Sequence, residues 1–178
     1  MHGVIFTSLR SYVGTVHGPA AEAQVFAGEP VYVLGEAYPD ERFHELVRRT
    51  AAVAGSSPDE VLERFGAFTA EHTFRRLYPA FFEISHSTRP FLLTVETRIH
   101  ELVRATIPRA QPPRLRISEH GEDGVRIEYD SARRLCVLLR GLLAGTAAYY
   151  GERAEIEERA CMRRGDPACT IDVRLSPS

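Results

Sequence analysis

The chain has 178 residues, 44% hydrophobic and 26% charged, which suits one domain with a sizeable core. Its formal net charge of -2 excludes the basic footprint of a nucleic-acid binder, and no apolar run reaches the roughly 18 residues of a membrane span. Lys is absent, so the 22 basic side chains are all Arg, which favours bidentate contacts with anions over point charges.

The first segment, "MHGVIFTSLRSYV", carries Val4, Ile5, Leu9 and Val13 at helical spacing and predicts a helix over residues 3 to 14. It has no basic stretch leading an uninterrupted apolar run and a cleavage site, so no secretory signal is read and a cytoplasmic location is expected. "GEPVYVLGEAYPDERF" is a turn-rich connection with a brief extended piece at Val31 to Leu34. A helix follows from Asp40 to about Ala54, with Phe43, Leu46 and Val47 on one face. Ser57 then reads as the N-cap of a helix with Pro58 at its first position and two acids behind it.

A break at "YPAFF" precedes a further helix, about Arg89 to Thr106, that stops at Pro108. "QPPRLRISEHGEDGVRIEYD" predicts a β-hairpin around the turn-rich "EHGEDG". Leu135 to Tyr150 reads as a long apolar helix stopped by Gly151. "AEIEERACM" and "ACTIDVRL" flank "RRGDP" as a second hairpin, with the acids of the first run on its wet face. Helices first, then strands with one helix between two hairpins, make an α+β fold and not an alternating βα one. Residues 1–178 form a single domain in this reading, with no linker or repeat.

His100 lies within "LLTVETRIHELVRATI", with Leu93, Thr97, Val103, Arg104 and Ile107 as helical face-mates. A neutral imidazole on a half-apolar face suits axial ligation of haem iron, although a lone helical His is more often a hydrogen-bonded core or surface residue. Further on, "IEYDSARRLC" sets Tyr129, Ser131 and Arg133 at alternate positions. Ser131 is read as the N-cap of the following helix, where free N–H groups favour an anion. Arg133, in its first turn, adds a fork matched to a carboxylate, and Tyr129 one more donor. The alternatives are a clamp for paired carboxylates and a plain serine-capped helix with a solvated Arg.

Taken together, a helical His, the pair Pro112-Pro113 and then Tyr-x-Ser-x-Arg resemble the H-NOX family, the haem nitric oxide/oxygen binding domains. "MHGVIF" and "YPAFF" are similar to family sequence as well, so the resemblance spans essentially the whole chain. It implies an N-terminal helical part, and C-terminal helices packed on a mainly antiparallel sheet. It also implies haem b, with His100 as proximal iron ligand and Tyr129, Ser131 and Arg133 holding the propionates. Pro113 would press on the porphyrin, and Ile5 would touch the distal side.

Oxygen-binding members carry a distal tyrosine where this chain has Leu138, and Leu9 replaces an aromatic found in some of them. The resemblance therefore implies binding of nitric oxide and CO in preference to oxygen. Tyr78 is read either as a packing aromatic or as a phenol reaching that pocket. The implied role is a bacterial gas sensor without enzymatic activity of its own. It would signal to a separate protein such as a histidine kinase or a cyclic-di-GMP enzyme.

The three cysteines, an odd number without secretory context, argue against a disulfide scaffold. Cys161 and Cys169 flank one turn and Cys136 lies on the preceding helix. The set resembles the four-cysteine zinc site of one H-NOX subgroup, with Glu158 at the fourth position. Structural zinc, a metal-free thiol redox sensor and plain packing stay open. The competing function is therefore a haem-free regulatory domain that uses this cluster as a zinc or thiol sensor.

Overall fold

The computed structural model describes residues 1–108 and 110–178. Its N-terminal part is helical: α1 (Gly3–His17), α2 (Pro19–Val25), α3 (Asp40–Ala54) and α4 (Pro58–Phe68). The start of α4 is the capping box expected from "SSPDE": Ser57 Oγ accepts the Glu60 N–H at 3.2 Å, and the Glu60 carboxylate accepts the Ser57 N–H at 2.8 Å. Such a cap contributes about 1 kcal/mol. The extended piece expected at Val31 to Leu34 pairs with nothing; the bridge there joins His2 to Ala37. Rings hold that connection instead of a ladder, with Tyr32 stacked on Phe6 at 4.3 Å and Tyr38 edge-on to Tyr32 at 4.8 Å.

Beyond Phe68 the helix continues as a π-helical stretch, Thr69–Phe74, into α5 (Arg75–Leu77). It breaks at Tyr78 and restarts as α6 (Pro79–Ile84). The next helix has the same build: α7 (Thr88–Thr94), a π-helical stretch Val95–His100, and α8 (Glu101–Thr106). At the ends of the two stretches the Arg75 N–H reaches Ala70 O and the Glu101 N–H reaches Glu96 O, five residues back in each case. Each stretch packs one extra residue into a turn.

Four antiparallel strands follow, β1 (Arg114–Glu119), β2 (Gly124–Asp130), β3 (Glu152–Ala160) and β4 (Cys169–Pro177), in the order β1-β2-β4-β3. Both hairpins are those expected. The inner face sets Ile117, Ile127 and Ile171 in one row and Leu115, Tyr129 and Cys169 in the next. On the outer face Asp172 is enclosed by cations, bonded by Arg126 at 2.7 and 2.8 Å and by Arg159 at 3.0 Å. Chiefly through the Arg126 bond, its pKa falls well below the usual carboxylate range.

Helix α9 (Cys136–Tyr149) joins the two hairpins and packs lengthwise on α4. Glycines allow the close approach: a Cβ on Gly141 would stand 1.9 Å from Glu63 O, and one on Gly66 would stand 2.4 Å from Leu138 O. The helix begins at Cys136, so Ser131 is not its N-cap and Arg133 is not in its first turn. A turn intervenes, closed by the Arg134 N–H to Ser131 O at 3.0 Å, with Arg134 itself left-handed at φ 50°. Gly151 does end the helix region, at φ 69°. One continuous apolar core runs from Phe43 and Phe65 among the helices to Ile127 and Ile171 on the sheet.

Candidate functional site

A cavity of about 610 Å³ lies where the helices meet the sheet. Val4 and Ile5 of α1 form one part of its wall, and Phe74 and Tyr78 another. Leu138, Leu139, Leu142 and Thr146 line it from α9, while Leu115, Ile117 and Ile127 line it from the sheet. Thr146 spends its hydroxyl on Leu142 O at 2.8 Å, which leaves the α9 wall apolar.

His100 is on this lining, at the end of its π-helical stretch. Val95, Ile99, Val103 and Ile107 share the wall with it. Val103 and Ile107 are the expected face-mates, but Val95 and Ile99 replace Leu93 and Thr97. The turn below His100 holds an extra residue, which carries position i−5 to where an α-helix would set i−3 or i−4. The imidazole Nδ1 lies 2.9 Å from Glu96 Oε2. Burial lowers the His100 pKa although Glu96 opposes it, so the ring is neutral near pH 7. Burial alone would raise the Glu96 pKa, but bonds from His100 and Arg104 bring it below the ordinary value. A neutral ring facing a carboxylate carries its proton on Nδ1, and Nε2 is left with a lone pair.

Tyr129, Ser131 and Arg133 line the same cavity, as do Pro112 and Pro113. Tyr129 sits at the end of β2 with its oxygen accepting the Leu135 N–H at 3.0 Å, so the phenol proton remains available. Ser131 Oγ accepts the Arg133 N–H at 3.3 Å. Arg133 donates to Gln111 O at 2.6 Å, and its Nε stands 2.9 Å from Asp40 Oδ2. That last contact is a charge pair without hydrogen-bond alignment, since Nε has no aligned acceptor among the described residues. His2 Nε2, on the same lining, is likewise buried without one. Asp40 also receives the Met1 ammonium. Burial would raise the Asp40 pKa, but the bonds from that ammonium and from Arg133 lower it.

Of the residues singled out in the sequence, His100, Tyr129, Ser131, Arg133, Pro113, Ile5, Leu138 and Tyr78 all meet on this cavity. Leu9 does not: it is fully buried in the core, one turn beyond Ile5, and is absent from the lining. The sequence reading missed Phe74, Asp40 and Glu96. Phase hid Phe74, which follows an extra residue in its helix. Asp40 and Glu96 act through partners 93 and 4 residues away in the chain (Arg133 and His100). Only the second spacing, a Glu four residues before a His on one helix, was visible locally.

Cys136, Cys161 and Cys169 converge on the other side of α9's first turn. Their sulfurs lie within 4.8 Å of one another, and Cys136 Sγ is 3.7 Å from Cys161 Sγ. All three are buried, and the Met162 N–H donates to Cys169 Sγ at 3.3 Å. Burial, then the bond to Cys161, pushes the Cys136 thiol up to about 12. Glu158 is not among the three; its carboxylate meets Arg164 at 2.5 Å. It does differ from the wet acids Glu155 and Glu157, since it sits opposite Ile171 on the inner parity of β3.

A family model described as "Haem-NO-binding" matches residues 2–158. Over 99% of both chains, the fold superposes on an H-NOX protein from S. oneidensis in the Fe(II)NO ligation state, with a TM-score of 0.91 at 21% identity. An unliganded Fe(II) H-NOX protein from K. algicida gives 0.83 at 22% identity, covering 100% of this chain and 98% of that one. Among curated proteins, the soluble guanylate cyclase gcy-31 of Caenorhabditis elegans is 21% identical over 138 residues. That match takes in 75% of this chain, which spans about 20% of the cyclase's length.

Proposed function

The chain belongs to the haem-NO-binding family, the H-NOX domains, and on that footing we propose that it is a haem b gas sensor selective for nitric oxide and CO. One observation carries the reading. A single apolar cavity of about 610 Å³ is lined both by a neutral imidazole and by the Tyr129, Ser131 and Arg133 group. The cavity size is that of a cofactor site. The buried nitrogens of Arg133 and His2 that lack aligned acceptors are what a carboxylate-bearing group would satisfy.

Bound haem supplies an iron with one position open to a diatomic gas. His100 offers Nε2 to that iron while Glu96 holds Nδ1–H. Tyr129 and Ser131 donate O–H bonds to the propionates, and Arg133 adds its guanidinium. Pro113 sets a rigid ring against the macrocycle. Ile5, Phe74, Leu138 and Leu142 surround the gas with apolar groups. They offer no hydrogen bond to the negative charge that oxygen takes on, which leaves nitric oxide and CO favoured. Asp40 ties the N-terminal helices to Arg133, so a change at the propionates reaches those helices as a shift between two packed arrangements. A separate bacterial signalling protein in the cytoplasm, such as a histidine kinase or a cyclic-di-GMP enzyme, reads the shift.

The test is absorption of protein produced with ample haem. A Soret band in the wild type that His100→Ala abolishes supports the reading. A colourless wild type overturns it and returns the chain to the haem-free alternative.

Zinc at the cysteine cluster is a separate proposal. Tetrahedral zinc with Zn–S bonds of about 2.3 Å sets its sulfurs about 3.8 Å apart, close to the 3.7 Å between Cys136 and Cys161. An N–H bond to a sulfur, as from Met162 to Cys169, is the usual outer support of such a ligand. Glu158, on the inner parity of β3, is the proposed fourth ligand, at the cost of its bond to Arg164. The metal-free redox sensor is disfavoured because all three thiols are buried and Cys136 is held protonated.

A further inference from the structure

We infer that Glu96 is a positioning residue for His100, giving the imidazole anionic character and so a strong bond to iron. This rests on the haem reading above and deepens it.

Three donors converge on the one carboxylate. Oε2 accepts from His100 Nδ1 at 2.9 Å and from the Leu115 N–H at 3.2 Å, and Oε1 takes Arg104. An exposed Glu–His pair four residues apart on a helix is commonplace and weak. This pair is different in two respects. The side chains of His100 and Glu96 keep only 16% and 22% of their exposure, so the bond is not dissolved by competing water. The carboxylate is also anchored from outside its helix, by the backbone of β1 two residues after the cavity-lining Pro113. It therefore holds a fixed place relative to both the sheet and the imidazole.

Glu96 is kept ionised, so the proton it shares with His100 is drawn toward it. The electron density left on the ring raises the basicity of Nε2, as carboxylate partners do for metal-bound histidines generally. Arg104 counters this, because it competes for the same carboxylate charge. The strength of the iron–imidazole bond is thus set by a balance between Glu96 and Arg104, neither of which touches the cavity. With Glu96 in place, nitric oxide has to break a strengthened bond, so a large share of the nitrosyl protein keeps His100 attached.

Resonance Raman spectra of the ferrous, ligand-free, haem-loaded protein test this directly. The expected result is that the iron–histidine stretch moves to lower frequency in Glu96→Gln and to higher frequency in Arg104→Gln. The Soret band of the nitric oxide complex should shift toward the five-coordinate form in Glu96→Gln. Opposite shifts from two neighbours are not produced by a merely structural role, and Arg104→Gln keeps the test open if Glu96→Gln is poorly folded. Haem-loaded variants whose stretch matches the wild type would overturn the assignment while leaving haem binding intact. A wild type without haem overturns the ligation itself, and this inference with it.

Discussion

Replacing Gly141 by Ala should destabilise the protein, although helix propensity alone predicts the reverse. In an exposed helix the change gains about 1 kcal/mol. Here the new Cβ would stand 1.9 Å from Glu63 O and 2.8 Å from Glu63 C, where ordinary contact begins at 3.4 Å. The obstacle is backbone, so no rotamer change relieves it, and α4 and α9 must separate locally by about 1.5 Å. A gap of that order forfeits more than half of the dispersion attraction of facing atoms. Overpacking of this kind costs about 1–3 kcal/mol, and a rigid backbone clash belongs at the upper end. Set against the propensity gain, the net loss is about 2 kcal/mol, or a fall in Tm of about 4–8 °C for a chain of this size. Thermal unfolding followed by circular dichroism measures it. Leu138 and Leu142, on either side of Gly141, line the cavity, so the haem-loaded variant should also show a shifted Soret band. A Tm equal to or above the wild type would refute the close-packing argument.

Leu138→Tyr sets a phenol on the apolar α9 wall. The ferrous variant should hold oxygen in air where the wild type does not, and identical spectra for the two would count against the distal-wall reading. Cys136→Ala should abolish about one bound zinc per chain, measured by elemental analysis; a wild type free of zinc with three titratable thiols in denaturant would remove the metal proposal. Asp172→Asn should cost stability near neutral pH and progressively less in acid. The depressed native pKa means that the stabilisation is complete above the unfolded value of about 3.9 and is lost as pH falls toward the native one. Urea titrations at several pH values read the difference, which a purely steric effect would leave independent of pH.

The elements were legible wherever local chemistry fixed them. Ser57, Pro58 and Glu60 announce a helix start that needs no tertiary help, and the turn residues around Gly121 and Gly165 announce both hairpins. The Tyr129, Ser131 and Arg133 group was legible as a set, but its backbone was not. Ser131 has the chemistry of an N-cap, yet the phenol of Tyr129 takes the Leu135 N–H and Arg134 turns left-handed, which delays the helix to Cys136. Nothing in the spacing of Leu9 from Ile5 tells which of two neighbouring core positions faces a cavity. Asp40 was illegible for a different reason: its importance comes from the Met1 ammonium and Arg133, which only the folded chain brings to it.

The two π-helical stretches have a consequence for chain length. Phe74 and His100 each close a stretch in which one turn carries a surplus residue, and each lines the cavity from its own wall. Deleting exposed Thr97 would let that helix revert to an even α-helical winding. Everything beyond the deletion would then turn by about 100° relative to Phe91 and Leu92. His100, Val103 and Ile107 would swing off the wall together, with no side chain on the wall altered. The cavity thus depends on a count of residues as much as on their identity, and a single-residue deletion on the solvent side should empty it of its imidazole.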